Sequence, residues 1–286
     1  IIYPPEPLPG LDDVDGAIRN ALLNPVDMEP LPALLRPDMK LTIVFDDASL
    51  SLPKMRRPDN RQRVIEAVLD RAAAAGVDDV RIIAALALHR RMTEAELRHA
   101  VGDRVYDAFA PDGRLYNHDA EDPDDLAFLG TTPHGEEVEI NKAAAESDLL
   151  VYVNINIVSM DGGHKSTATG LASYRSIRHH HNPATMEHSR SFMDRHSSEL
   201  HHANWRMGEV IRDAGVQIFQ IETTLNTDTF GETGPMSVLQ KREWEWTTKD
   251  RIAFMGMKAG LDRMSPSTRR RIFQSWEAPY GVTSVT

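Results

Sequence analysis

The sequence predicts an α/β fold of the Rossmann-like kind, a mostly parallel sheet flanked by helices and followed by C-terminal helices. Three observations predict it. Short apolar runs alternate with segments of helical period, so strands and helices interleave. Each apolar run is bounded by turn residues and reads as a buried strand. Three of these strands empty into polar loops, and ligands in such sheets sit beyond the carboxyl ends of the strands.

The elements follow in order. Residues 1–39 are proline-rich and loop-like, with one helical stretch near Val14–Leu23, and form an N-terminal extension. Lys40-Leu-Thr-Ile-Val-Phe-Asp46 is the first strand. Arg61–Ala75 carries Val64, Ile65, Val68, Leu69 and Ala72 at helical spacing and ends at Gly76, a good C-cap. Asp79–Leu86 is the second strand, and Thr93-Glu-Ala-Glu96 is a capping box opening a helix to about Val101. Residues 103–138 hold short strand-like pieces and many turns, and Val138–Ala145 reads as a short helix. Asp148–Ile157 is the strongest strand, with Gly162-Gly163 behind it. Helices dominate from Pro183 to about Ala214, Val216–Ile221 is a further strand, and the tail from Gln240 is mostly helical. The expected division is 1–39 extension, 40–240 α/β domain and 241–286 helical tail or interdomain segment.

The 286 residues are 41% hydrophobic and 26% charged, enough apolar material for a real core. A net charge of −11 repels phosphodiester backbones and anionic bilayers, so neither nucleic acid nor membrane is an expected partner. The chain has no cysteine, which excludes disulfides, thiolate metal sites, iron–sulfur clusters and cysteine nucleophiles. A metal would have to be held by His, Asp, Glu or non-protein donors. The apolar runs are too short to span a bilayer, and the first residues carry no leader signal. A cytoplasmic protein lacking its first residues is the expectation.

Four constellations carry possible chemistry. Gly162-Gly163-His164-Lys165-Ser166-Thr167 follows a buried strand; glycines let a backbone approach a ligand, and helix-terminal N–H groups favour phosphate. Taken alone it reads more readily as an ordinary strand-to-helix turn with a solvated lysine. Seven of the twelve histidines lie between residues 179 and 202, including the triplet His179-His180-His181, and neutral imidazole ligates nickel, zinc, copper and iron. His89, in Leu88-His89-Arg90-Arg91, stands at a strand end as a possible general base, with arginines able to hold a carboxylate. Asp46-Asp47-Ala48-Ser49 follows the first strand and could order a loop or bond a ligand hydroxyl.

Together these pieces resemble the lactate racemase family, in the family's order, over roughly residues 40–225. The family's Asp-Asp-x-Thr-Arg-Pro segment corresponds to Asp46-Asp47-Ala48-Ser49-Leu50, and its Gly-x-His-Arg-Pro-Met-Thr segment to Ala87-Leu88-His89-Arg90-Arg91-Met92-Thr93. Its Gly-Gly-x-Lys turn is matched by Gly162-Gly163-His164-Lys165, and the histidine sixteen residues beyond that lysine is His181. The resemblance implies a nickel-pincer nucleotide, a pyridinium-3-thioamide-5-thiocarboxylic acid mononucleotide joined to Lys165, with His181 as the protein's nickel ligand. Gly162, Gly163, Ser166, Thr167, Asp47 and Ser49 would hold the rest of the cofactor, making 40–240 the cofactor-binding domain. It also implies racemisation or epimerisation of a 2-hydroxy acid other than lactate, with His89 as one base, and cofactor-synthesis proteins as partners.

Three departures qualify this. The family's second catalytic histidine lies ten residues before the lysine, where this chain has Ile155 between Asn154 and Asn156. Those asparagines can bond a substrate hydroxyl but cannot act as bases; His164 or His180 is the candidate replacement. The family's arginine is Leu50, and Arg90, Arg56 or Arg57 would have to bind the substrate carboxylate instead. The family's C-terminal lid domain is expected to be absent from this stretch. Two other readings stay open: a one-sided, stereospecific hydride-transfer oxidoreductase using the same cofactor, and a non-catalytic small-anion or metal-binding homologue.

Overall fold

Buried polar groups decide how the strand ends are aimed, and the sheet decides where those ends meet. The computed structural model describes residues 6–48, 53–234 and 236–286. Its strands are β1 (Lys40–Asp46), β2 (Lys54–Met55), β3 (Asp79–Ala85), β4 (Leu115–Asn117), β5 (Leu126–Thr131), β6 (Glu137–Asn141), β7 (Leu149–Asn156), β8 (Ile218–Leu225), β9 (Glu277–Ala278) and β10 (Val282–Val285). The helices before β7 are α1 (Val14–Leu23), α2 (Leu31–Leu34), α3 (Asn60–Ala74), α4 (Glu94–Val101), α5 (Asp103–Phe109) and α6 (Lys142–Ala145). After it come α7 (His164–Gly170), α8 (Tyr174–Ile177), α9 (Pro183–His188), α10 (Glu199–Asp213), α11 (Thr248–Arg263) and α12 (Pro266–Ser275).

Six strands form the main sheet in the order β10-β8-β7-β1-β3-β4. β8, β7, β1, β3 and β4 run parallel, and β10 closes the edge antiparallel to β8. The chain winds outward from β1 through β3 to β4, then returns to β7 on the other side of β1 and winds outward to β8. The reversal places a crevice at the carboxyl ends of β1 and β7. An α/β fold with a mostly parallel sheet flanked by helices is therefore what this sequence forms.

β1 and β7 are buried along nearly their whole length, as strands covered on both faces must be. Alternate side chains feed two cores. Ile43, Phe45, Val151 and Val153 pack with Ile18 and Leu22 of α1 and Val64, Ile65 and Val68 of α3. Val44, Leu150 and Tyr152 pack on the opposite face with Ala168 of α7 and Met207 and Ile211 of α10. The N-terminal segment thus contributes directly to the first core. The capping box at Thr93 is present, with Glu96 answering the Thr93 backbone.

Two expectations change. Val138–Ala145 is not a helix throughout: β6 runs to Asn141 and pairs antiparallel with β5, and only Lys142–Ala145 is helical. Val138 and Ile140 are buried while Glu137 and Glu139 are not, an alternation of period two that fits a strand and not a helix. The tail is not helical to its end, since β10 joins the sheet, while α11 and α12 bury no residue. Among the described residues no helix is long and apolar enough to cross a membrane.

One buried ion pair fastens the β1 exit. Asp59 caps α3, and Arg61, 1% exposed, meets it two-pronged: Nε donates to Oδ1 at 2.9 Å and Nη2 to Oδ2 at 2.7 Å. Arg61 Nη1 then donates to the carbonyls of Asp46 at 2.9 Å and Asp47 at 2.7 Å. Beside it Asn60 Nδ2 donates to Thr223 Oγ1, which donates to the Asn154 carbonyl, tying α3 to β8 and β7. Replacing Arg61 by methionine leaves the Asp59 carboxylate buried without its counter-charge. Arg61→Met should cost on the order of 3–5 kcal/mol, read as a lowered urea midpoint.

Candidate functional site

The crevice at the switch point is built from four chain segments. β1 contributes Asp46 and Asp47, the β3 exit contributes Ala85–Ala87 and His89, β7 contributes Tyr152 and Asn154, and the turn into α7 contributes Asp161, Gly162, Lys165 and Ser166.

Asp47 and His89 form a carboxylate–imidazole pair, with Oδ2 2.8 Å from Nδ1. The Asp47 hydrogen bond raises the His89 pKa against the opposing effects of burial and the Lys165 charge. An Nδ1–H held by Asp47 makes Nε2 the basic nitrogen, the arrangement a general base needs. Lys165 reaches into the same crevice, its Nζ 3.0 Å from Asp161 Oδ1. The other oxygen of Asp161 accepts from the amides of Ile157 and Val158, which fixes that carboxylate to its own loop. His181 is lowered by burial first and then by the charges of Lys165 and of His89. Lys165 and His89 are thus both felt at His181, which is itself exposed and stands outside the crevice lining.

Asp46 lies beneath this group, 4% exposed. Its Oδ2 accepts from the Ile155 amide at 2.6 Å and its Oδ1 from the Tyr152 hydroxyl at 3.2 Å. Burial pushes Asp46 up to about 7 in spite of those two donors.

Glu222 on β8 holds the turn from below. Its Oε2 accepts from Asn154 at 2.7 Å and Asn156 at 2.6 Å, and its Oε1 from the Gly163 amide at 2.9 Å and Gln220 at 2.6 Å. Gly162 is required twice over: its φ is +83°, and a Cβ there would stand 2.7 Å from the Glu222 carboxylate and 2.8 Å from Asn156 Oδ1.

Several residues singled out in the sequence stand elsewhere. His164 turns away from the crevice onto α10, edge-on to Trp205 at 4.9 Å and 3.9 Å from Glu209. His180 is buried behind His181 and does not line the crevice. The Arg90 guanidinium is paired with Glu96 of the capping box. Asn154 and Asn156 serve the Glu222 cluster, and Asn154 Oδ1 also accepts from Ser166 Oγ. The Gly163 amide is bonded to Glu222, and Thr167 is buried outside the crevice lining with no hydrogen-bond partner for its hydroxyl. Ser49 and Leu50 lie outside the described residues. Asp46 is marked by the sequence only as part of the Asp46–Ser49 constellation, and Tyr152, Asp161 and Glu222 are not marked at all; of these three only Asp161, four residues before Lys165, gives a local signal.

The family model described as the lactate racemase N-terminal domain matches residues 1–194. The chain belongs to that family. It is 27% identical over 170 residues to the lactate racemase of Lactiplantibacillus plantarum, covering 57% of this chain and 37% of that protein. It is 27% identical over 172 residues to the lactate racemase of Thermoanaerobacterium thermosaccharolyticum, covering 58% of this chain and 38% of that one. The matches therefore span less than two fifths of either relative. The solved lactate racemase apoprotein from T. thermosaccharolyticum superposes with a TM-score of 0.60 at 21% identity, over 76% of this chain and 50% of that one. A Thermotoga maritima protein superposes with a TM-score of 0.57 at 16% identity, over 74% and 50%. At those identities the superpositions speak for the fold.

Two titrations should be visible. The folded Asp46 pKa lies above its ordinary 3.8, so between pH 3.8 and about 7 the folded state keeps a proton that the unfolded state loses. Stability then falls as pH rises through that window and levels off above it. Asp46→Asn should remove this slope in urea unfolding measured from pH 4 to 8. For His89 the folded pKa is raised above 6.5, so the pair's stabilisation is full below 6.5 and is lost as pH rises through the folded value. Asp47→Asn should lower the His89 pKa, followed by NMR titration of its ring.

Proposed function

We propose that this chain is the cofactor- and substrate-binding part of a racemase or epimerase of a 2-hydroxy acid other than lactate, working with a nickel-pincer nucleotide tethered to Lys165. The observation that carries the reading is the Asp47–His89 pair and Lys165 lining one switch-point crevice, with His181 outside that lining and within electrostatic reach of both.

The side chains present fit that group. Lys165 offers a primary amine part-buried in the crevice, and His181 offers an imidazole within electrostatic reach of it. Among the described residues no three His, Asp or Glu side chains converge as a metal cage. One protein nitrogen, with the remaining donors supplied by a tethered group, is the arrangement these residues permit. When bound, the group supplies a reversible hydride acceptor. The protein's share is acid–base chemistry and positioning. His89 Nε2 takes the proton of the substrate hydroxyl, and Asp47 holds the ring and stabilises the charge it gains. Acylation of Lys165 removes its charge, so Asp161 loses its partner and remains tied to the 157–158 amides.

One observation favours a second reading, one-sided hydride transfer. His164 turns onto Trp205, His180 is buried outside the crevice lining, and Ile155 stands where the family has its second base. Incubation of each enantiomer of candidate hydroxy acids separates the two: interconversion from both sides supports the racemase, and conversion from one side alone supports the oxidoreductase.

Mass spectrometry of the chain co-expressed with cofactor-synthesis proteins should find an adduct on Lys165, absent in Lys165→Ala. An unmodified Lys165 under those conditions would remove the basis of the proposal. His89→Gln should keep the adduct and lose on the order of 10²–10⁴ in turnover.

A further inference from the structure

We propose that His164 is a positioning residue: seated in a notch that Gly208 leaves in α10, it fixes the first turn of α7 and with it the direction in which Lys165 enters the crevice. The inference deepens the reading above and rests on it for what Lys165 carries, but its geometry stands in the chain alone.

Gly208 lies in the interior of the 15-residue α10. Glycine there is a cost to the helix, and its φ is not positive, so no backbone need explains it. Space explains it. A Cβ at 208 would stand 2.1 Å from His164 Nδ1, 2.3 Å from its Cγ and 2.6 Å from its Cβ. The root of the His164 side chain, and not only its flexible end, thus fills the place of a side chain on α10. Trp205 stands edge-on to the imidazole at 4.9 Å, and Glu209 Oε1 lies 3.9 Å from its Nε2. In the same interface Ala168 of α7 packs with Met207 and Ile211 of α10.

Lys165 is the next residue along. The start of α7 has no side-chain cap of its own. Its turn is gripped on two sides instead. Ser166 Oγ donates to Asn154 Oδ1 of β7 at 2.9 Å, and His164 is seated in α10. Successive helical residues point about 100° apart, so pinning residues 164 and 166 sets the heading of the one between them. The contact of Nζ with Asp161 adds to this only while Lys165 is charged. An acylated Lys165 keeps its heading through its two neighbours. The histidine of Gly-Gly-His-Lys thereby gains a use that needs no proton transfer.

The test reads Lys165 itself. The cofactor-free chain is treated with N-hydroxysuccinimidyl acetate, and acetylation of Lys165 is compared by mass spectrometry with that of Lys249, exposed on α11. Lys165 is part-buried and ion-paired, so releasing the turn in His164→Ala should raise its relative rate several-fold. His164→Phe keeps a ring in the notch and should stay near the unaltered chain. Gly208→Ala, at a position outside the crevice lining, should raise the rate as His164→Ala does and lower the urea midpoint. Joining the two substitutions should recover the midpoint, because the added methyl fills the space the imidazole leaves, and should raise the Lys165 rate no further. Asp13→Ala, which uncaps α1 on the opposite face of the sheet, should leave the rate unchanged. An unchanged Lys165 rate in folded His164→Ala would overturn the proposal, as would a double variant no more stable than Gly208→Ala, or a rate that rises equally in Asp13→Ala. Where a single variant does not fold, the double variant carries the labelling. Absence of a Lys165 adduct after co-expression would leave the labelling result standing, so the two readings fail separately.

Discussion

The site depends first on the buried guanidinium of Arg61. A strand exit is ordinarily a soft place, since its carbonyls lose their ladder partners where the sheet stops. Here the carbonyls of Asp46 and Asp47 are both taken by Arg61, whose charge is met by Asp59 at the cap of α3. With the backbone held at two successive residues, adjacent side chains are sent opposite ways. Asp46 turns inward to Tyr152 and the Ile155 amide, and Asp47 turns outward to His89. One carboxylate is thereby kept dry and pushed toward its neutral form, while its neighbour orients an imidazole. Two acids adjacent in sequence acquire different chemistry because one cation fixes the peptide between them.

The opposite wall of the crevice is organised by a carboxylate. Glu222 gathers donors from β7, from its own strand and from the Gly162-Gly163 turn, so the backbone leading into Lys165 is set by a side chain on the next strand over. Register makes this possible, since Asn154 of β7 lies opposite Glu222 of β8. Glycine at 162 is a consequence of the same packing, because Glu222 and Asn156 fill the space where a Cβ would go. The crevice thus lies between a cation-pinned exit and an anion-pinned turn, and Lys165 and His89 are presented from rigid backbone on either side.

This division explains which parts of the molecule could be read from sequence. Local signals carried well: the apolar runs of β1, β3 and β7, the helical period of α3 and the Thr93 capping box are each set by neighbours in the chain. The residues that share the crevice with Lys165 are legible only because strand order brings the β1, β3 and β7 exits together, which the alternation of elements already implies. Glu222 was not legible, since its importance comes from the β7–β8 register, and the apolar run that marks β8 fades before reaching it. His164 was misplaced for a helical reason. It and Lys165 are consecutive at the start of α7, and consecutive helical residues point about 100° apart. Once Lys165 faces the crevice, His164 must face elsewhere, and it lands on Trp205.

The alternation of β7 limits where a second base for the proposed reaction could stand. β7 alternates, and Tyr152 and Asn154 line the crevice while Ile155 is fully buried on the other side of the strand. The crevice-facing position nearest the missing base is therefore Asn154, and its amide is fully engaged: Nδ2 donates to Glu222 and to Asn156, and Oδ1 accepts from Ser166. A base at that place would need a lone pair basic enough to take the substrate proton, whereas an amide is not a base and this one is held by the turn. The β7 exit has been given over to holding the Gly162–Lys165 backbone. On the proposed function, proton transfer falls to the Asp47–His89 side of the crevice, and that asymmetry is why a one-sided reaction stands beside racemisation.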